Sequence, residues 1–131
     1  MDLKQTNWLL CWLIIGVIFV FGLMMMKAAH AAPPTKMQSE INYLLGFVED
    51  SGCEFNRNGI WYDSKKAHDH LLKKYIFLES VNYIHTAEEF IEEVAMESSF
   101  SHQSYEVKCQ GGPAMSSSQW LHDSLAEFRN K

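Results

Sequence analysis

Beyond residue 31 the chain carries two cysteines, Cys53 and Cys109, and the segment ahead of them decides whether they can pair. Leu9 to Met26 (LLCWLIIGVIFVFGLMMM) is an unbroken apolar run, with Lys4 before it and KAAHAAPP after it. Ala29-His30-Ala31 is a small-x-small triplet of the kind signal peptidases cut, and Pro33-Pro34 would stop a helix just beyond it. Residues 1–31 therefore read as a signal peptide. The alternative is an uncleaved N-terminal membrane anchor, because about 18 apolar residues reach the lower limit for a transmembrane helix. Flanking charge barely separates the two: Asp2 offsets Lys4, and Lys27 lies on the far side. Cys11 is not a lipoprotein cysteine, since Leu10 precedes it where a small residue is needed. On both readings the rest of the chain leaves the cytoplasm.

Residues 32–131 form one small domain, enough to bury a modest core. Two cysteines in an exported domain of this size are expected to form a disulfide. Closing a loop of roughly 57 residues removes about 4 kcal/mol of unfolded-state entropy. A redox site would need a C-x-x-C motif, which is absent, and a structural zinc site would need more thiols or well-spaced histidines. Of 11 basic and 16 acidic residues, Lys4, Lys27 and Asp2 fall in the leader, leaving 9 against 15, a balance of −6. That excess argues against nucleic acid or an anionic membrane surface as partner.

The apolar positions Met37, Ile41, Leu44, Leu45 and Val48 follow helical spacing and stop at Gly52. Cys53-Glu54-Phe55 and Ile60-Trp61-Tyr62 are β-prone segments around Asn58-Gly59, the pair that best tolerates the positive φ of a tight hairpin turn. Asp63 or Ser64 can cap a second helix reaching about Ile84, with Ala67, Leu71, Tyr75 and Leu78 inward. Thr86-Ala87-Glu88-Glu89 is a capping box opening a third, with Phe90, Ile91, Val94 and Ala95 inward. Tyr105 to Cys109 alternates as a strand, and the serines Ser116 to Ser118 cap a last helix carrying Trp120, Leu121, Leu125 and Phe128. The expected fold is α+β in the order α-β-β-α-α-β-α: a short antiparallel sheet, a hairpin plus one strand, packed with about four helices and tied by one disulfide.

His68-Asp69-His70 has the composition of a metal cluster, but residues two apart on a helix point about 200° from each other. No metal site and no cofactor are expected. Lys65, Lys66, Lys73 and Lys74 on the second helix face the acidic third helix (Glu88, Glu89, Glu92, Glu93, Glu97), which reads as a mutually complementary, solvated surface. Ser98, Ser99 and Ser101 with His102 lack a G-x-S-x-G elbow and an assignable third member, so no catalytic residue is assigned. His70, Tyr75, Ser99 and Ser101 remain the binding candidates. Trp61 with Tyr62, and Trp120, read as core anchors.

The run SGC-x-F-x-RNG-x-x-Y, then HL-x-x-KY (His70 to Tyr75), TAE-x-FI (Thr86 to Ile91), SS-x-S (Ser98 to Ser101), Y-x-V-x-C-x-G and the pair Trp120-Leu121 resembles the YfeK-like family. These are small exported proteins of Gram-negative bacteria that carry a domain of unknown function, and the likeness runs from about Glu40 to Arg129. The resemblance implies a bacterial exported protein, periplasmic or inner-membrane anchored facing the periplasm, with the two cysteines as a family feature. It brings no activity. The first functional reading is a non-catalytic binding or interaction module of the cell envelope, its partner an envelope protein or wall component. The alternatives are a membrane-tethered accessory subunit of an envelope complex, and a small hydrolase using His70, Tyr75 or the Ser98–Ser101 loop. Cleavage after Ala31 predicts a mature N-terminus at Ala32, which intact-mass measurement on envelope material checks. A full-length chain resisting carbonate extraction would establish the anchor instead.

Overall fold

The computed structural model describes residues 32–131. The apolar run Leu9–Met26, and with it the leader or anchor reading, lies outside them. The described chain opens with helix α1, Lys36–Asp50. Its start is a capping box missed in the sequence: Thr35 Oγ1 accepts from the Gln38 amide, and the Gln38 side chain accepts from the Thr35 amide at 2.9 Å. Gly52, at φ 64°, sits just past the cap residue Ser51 in the left-handed conformation that lets the chain turn away. Strands β1, Glu54–Arg57, and β2, Ile60–Asp63, follow as the expected hairpin. Asn58 and Gly59 both take positive φ, 55° and 82°, as a tight two-residue turn between twisted strands requires.

Asp63 then caps α2, Ser64–Ser80, by accepting from the Lys66 amide at 2.8 Å. The helix ends four residues before the expected Ile84, because Asn82 adopts φ 56° and the Tyr83 amide closes back onto the Leu78 carbonyl. Asn tolerates that conformation and here does the work of a terminating glycine. Thr86 caps α3, Ala87–Glu89, as expected, but the reciprocal bond goes one residue earlier: Glu89 accepts from the His85 amide. The helix continues over Phe90–Ala95 with π-helical winding. Both windings turn Phe90, Ile91, Val94 and Ala95 inward, so residue spacing could not tell them apart. Strand β3, Glu106–Lys108, leads to a short strand not foreseen, β4, Met115–Ser116. Ser116 both ends β4 and caps α4, Ser117–Arg129.

The sheet order is β2-β1-β3-β4, antiparallel throughout. Phe55 of β1 and Val107 of β3 are opposite one another and buried, while Glu54 and Glu106 face out. One face of the sheet is thus covered by helices. The register that pairs Glu54 with Lys108 brings Cys53 opposite Cys109 one step beyond the ladder, and the two form a disulfide with Cα atoms 4.3 Å apart. The crosslink therefore joins the first strand to the third, β4 being the last.

The helices meet in a core of Ile41, Leu44, Val48, Phe90, Ile91, Val94, Leu121 and Leu125, all at most 2% exposed. Trp120 bridges the layers, 4.4 Å from Phe47 of α1 and 5.6 Å from Phe55 of β1, centroid to centroid. Trp61 is not a core anchor. It projects from the outer face of the edge strand, with the Lys108 ammonium 4.7 Å above its ring. At the far end of α4, Arg129 grips the buried Glu40 carboxylate of α1 in two 2.8 Å bonds and also pairs with Glu88 of α3. Those bonds hold both carboxyls below the usual carboxylate range. Three helices are pinned by one guanidinium, and removing it would leave the buried Glu40 carboxylate only the exposed Lys36 ammonium, 4.0 Å away.

Losing the Cys53–Cys109 bond should lower unfolding free energy by about 2–5 kcal/mol. Cys53→Ser, Cys109→Ser and the double change should lower it by similar amounts, since each removes the same crosslink. Urea unfolding of the native, reduced and substituted proteins measures this. An unfolding midpoint unmoved by reductant would refute it.

Candidate functional site

A strand alternates faces, so Arg57 lies on the same side of β1 as the buried Phe55, at the strand's inner end. Continuing the register of β1 on β3 by one step sets Arg57 against Tyr105, which is 6% exposed. The Ser117 amide anchors Tyr105 by donating to its carbonyl, and the Tyr105 amide donates to the Met96 carbonyl. Across from them, Ala67, His70, Leu71 and Lys74 occupy one face of α2 at helical spacing. His70 Nε2 lies 3.1 Å from the Tyr105 hydroxyl, and the Lys74 ammonium is 6.0 Å from the Tyr105 ring centroid.

Two cavities share this wall. The inner one, about 140 Å³, is lined by Phe55, Tyr62, Ala67 and Leu71 together with Arg57, His70 and Tyr105. The outer one, about 280 Å³, is lined by the same Arg57, His70 and Tyr105, and by Lys73, Lys74, Phe77 and the Ser98–Phe100 segment. Phe77 and Phe100 are 65% and 95% exposed, so the outer compartment is an apolar-rimmed vestibule open to solvent.

The electrostatics are cationic in a domain that is acidic as a whole. Among the described residues the buried Arg57 Nε has no hydrogen-bond partner. Burial, reinforced by Arg57, Lys74 and Lys73, pushes the His70 imidazole below its ordinary pKa, so it is neutral at pH 7. Burial also lowers Lys74, partly offset by Glu93 and Glu97, and it raises the Tyr105 phenol against the pull of Arg57. The complementary surface expected between the lysines of α2 and the glutamates of the third helix does not form as ion pairs. Lys65 pairs with Glu49 of α1, Glu88 goes to Arg129, and Lys74 donates to the Glu97 carbonyl rather than to a carboxylate. The second helix therefore keeps a basic face toward the vestibule.

Of the sequence candidates, His70 is at the centre of the site and Ser99 lines its outer compartment. Ser101 acts at one remove: its hydroxyl donates to Asn58 Oδ1 at 2.6 Å and ties the serine loop to the hairpin turn beside Arg57. Tyr75 is not brought to His70. It is buried in the core, edge-on to Phe90. His68 and His70 diverge as helical geometry requires, His68 turning to Asp69 and Glu49. Among the described residues no group of His, Cys, Asp and Glu could hold a metal ion, and no helix is long and apolar enough to cross a membrane. Arg57 and Tyr105 were missed. Alternation from Phe55 was the available signal for Arg57, masked by its position beside the Asn-Gly turn.

A family of unknown function, DUF5329, has a sequence model that matches residues 35–129. The chain belongs to that family. No curated protein and no solved structure matches it. The DUF5329 match begins at the capping residue of α1 and ends at Arg129, so it takes in the whole helical frame and every residue lining the two cavities.

The lowered pKa of His70 has a sign that can be checked. The unfolded chain takes up a proton near pH 6.5, before the folded one does. Its contribution to stability is therefore complete above that pH and is lost as the pH falls through the folded value. His70→Gln cannot take the proton, so it should lose less stability than the native protein between about pH 7.5 and about pH 5. Equal losses by urea unfolding would contradict the assignment.

Proposed function

We propose that this domain is a non-catalytic binding module of the bacterial cell envelope, and that the Arg57–His70–Tyr105 wall receives an anionic group of its ligand. The observation that carries this reading is the buried Arg57 Nε, a charged donor without a partner where two cavities meet. Leaving such a donor unpaired costs more than an ordinary lost hydrogen bond, and an incoming carboxylate or phosphate oxygen would relieve that cost. Lys73 and Lys74 at the vestibule add long-range attraction for an anion.

Export is supported by the leader sequence and by the disulfide, which suits an oxidising compartment. The YfeK-like resemblance supports a Gram-negative periplasmic setting, with an envelope protein or wall component supplying the anionic group. A hydrolase draws no comparable support: His70 pairs with Tyr105, while Ser101 bonds Asn58 and His102 bonds Glu97. The tethered-subunit alternative rests on Leu9–Met26 alone.

Adding acetate, phosphate or sulfate to the isotopically labelled domain should move the Arg57 Nε–H resonance in NMR spectra. Arg57→Gln should abolish the response of its neighbours Tyr105 and His70. If no anion moves these resonances, or if Arg57→Gln leaves the Tyr105 and His70 responses intact, the reading fails.

A further inference from the structure

The inner cavity narrows the ligand class, on the reading that the Arg57 wall binds an anion. Its volume of about 140 Å³ lies close to the ~150 Å³ of an engineered apolar cavity that accepts benzene. Its floor is made by the side chains of Phe55, Ala67 and Leu71, with the Tyr62 ring beside them. The polar groups of the lining are Arg57, His70 and Tyr105 at the partition, together with Lys66, Ser117 and the Tyr62 hydroxyl. The cavity therefore joins the apolar floor of Phe55, Ala67 and Leu71 to a cationic wall. A phosphate or sulfate would leave the apolar floor uncovered, and a neutral hydrocarbon would leave Arg57 Nε unpaired.

We infer that the ligand presents a carboxylate attached directly to a compact apolar group about the size of one six-membered ring. The ring enters the inner cavity, and the carboxylate stops at the partition against the Arg57 guanidinium. His70 and Tyr105 share one hydrogen bond, so when Nε2 donates to the phenol oxygen, the phenol O–H remains free to donate to the carboxylate. The opposite edge of the carboxylate faces the vestibule, where Lys73 and Lys74 line the way in. A carboxylate suits this wall better than a dianion, because Glu93 and Glu97 beside Lys74 reduce the positive field on the outer side.

Benzoate, acetate, benzamide and inorganic phosphate separate these contributions when each is titrated into the domain and followed by NMR and calorimetry. Benzoate should bind about tenfold or more tightly than acetate, which carries the same charge without the ring. Benzamide, with the ring but not the charge, should bind about tenfold or more weakly than benzoate. Ala67→Leu, which fills the inner cavity, should weaken benzoate and leave acetate unchanged. Benzoate no tighter than acetate or phosphate, while these still move Arg57, would overturn the ligand class and leave the anion site standing. Benzamide as tight as benzoate would overturn the anion site itself. The comparison among the four probes needs only the native protein, so it decides the matter even where Ala67→Leu does not fold.

Discussion

The antiparallel register of β1 on β3 is the constraint on which the rest of this domain depends. Three pairs stand along its inner face: Cys53 with Cys109, Phe55 with Val107 and, one step past the ladder, Arg57 with Tyr105. The first pair is covalent, the second is core, and the third is the wall of the candidate site. A slip of one residue would turn all of β1's inner side chains to the opposite face. Arg57 would then point to solvent, and Phe55 would leave the core. The disulfide therefore reaches the site through geometry, although the cysteines do not line either cavity.

The helices hold the other half of the site by separate means. Asp63 starts α2 directly after the hairpin, which fixes the rotation of that helix and sends His70 and Lys74 toward Tyr105. Ser64 donates to the Glu49 carbonyl and ties the same helix start to the end of α1. At the opposite end of the bundle, Arg129 joins α1, α3 and α4 through Glu40 and Glu88. The charges there are mutually satisfied, whereas Arg57 Nε at the cavity wall has no partner among the described residues. That difference separates a structural ion cluster from a candidate binding wall.

The acidic balance of the chain gives no hint of this local reversal. Net charge sums over the molecule, while a ligand responds to the few groups within a Debye length. Arg57, Lys73 and Lys74 gather on one side because a strand end and a helix face converge there. Glu93 and Glu97 offset Lys74 only in part, while Glu88 is engaged by Arg129 and Glu89 by the His85 amide.

Local chemistry made much of the fold legible in the sequence. Asn58-Gly59 specified the hairpin turn because few residue pairs accept two positive φ angles. Asp63 and Thr86 marked helix starts, and two cysteines in a small domain read as exported implied one crosslink. Features set by distant partners were not legible. The end of α2 turned on Asn82 adopting a left-handed conformation, and β4 exists only because β3 offers it an edge. Trp61 looked like core until the sheet order made β2 an edge strand. His70 was recognised as a candidate, but its partners Arg57 and Tyr105 are 13 and 35 residues away in the chain. Residue spacing reports which side chains share a face of one element. Only the packing of strand against strand and helix against sheet decides which faces meet, and so an arginine beside a turn became the wall of a cavity.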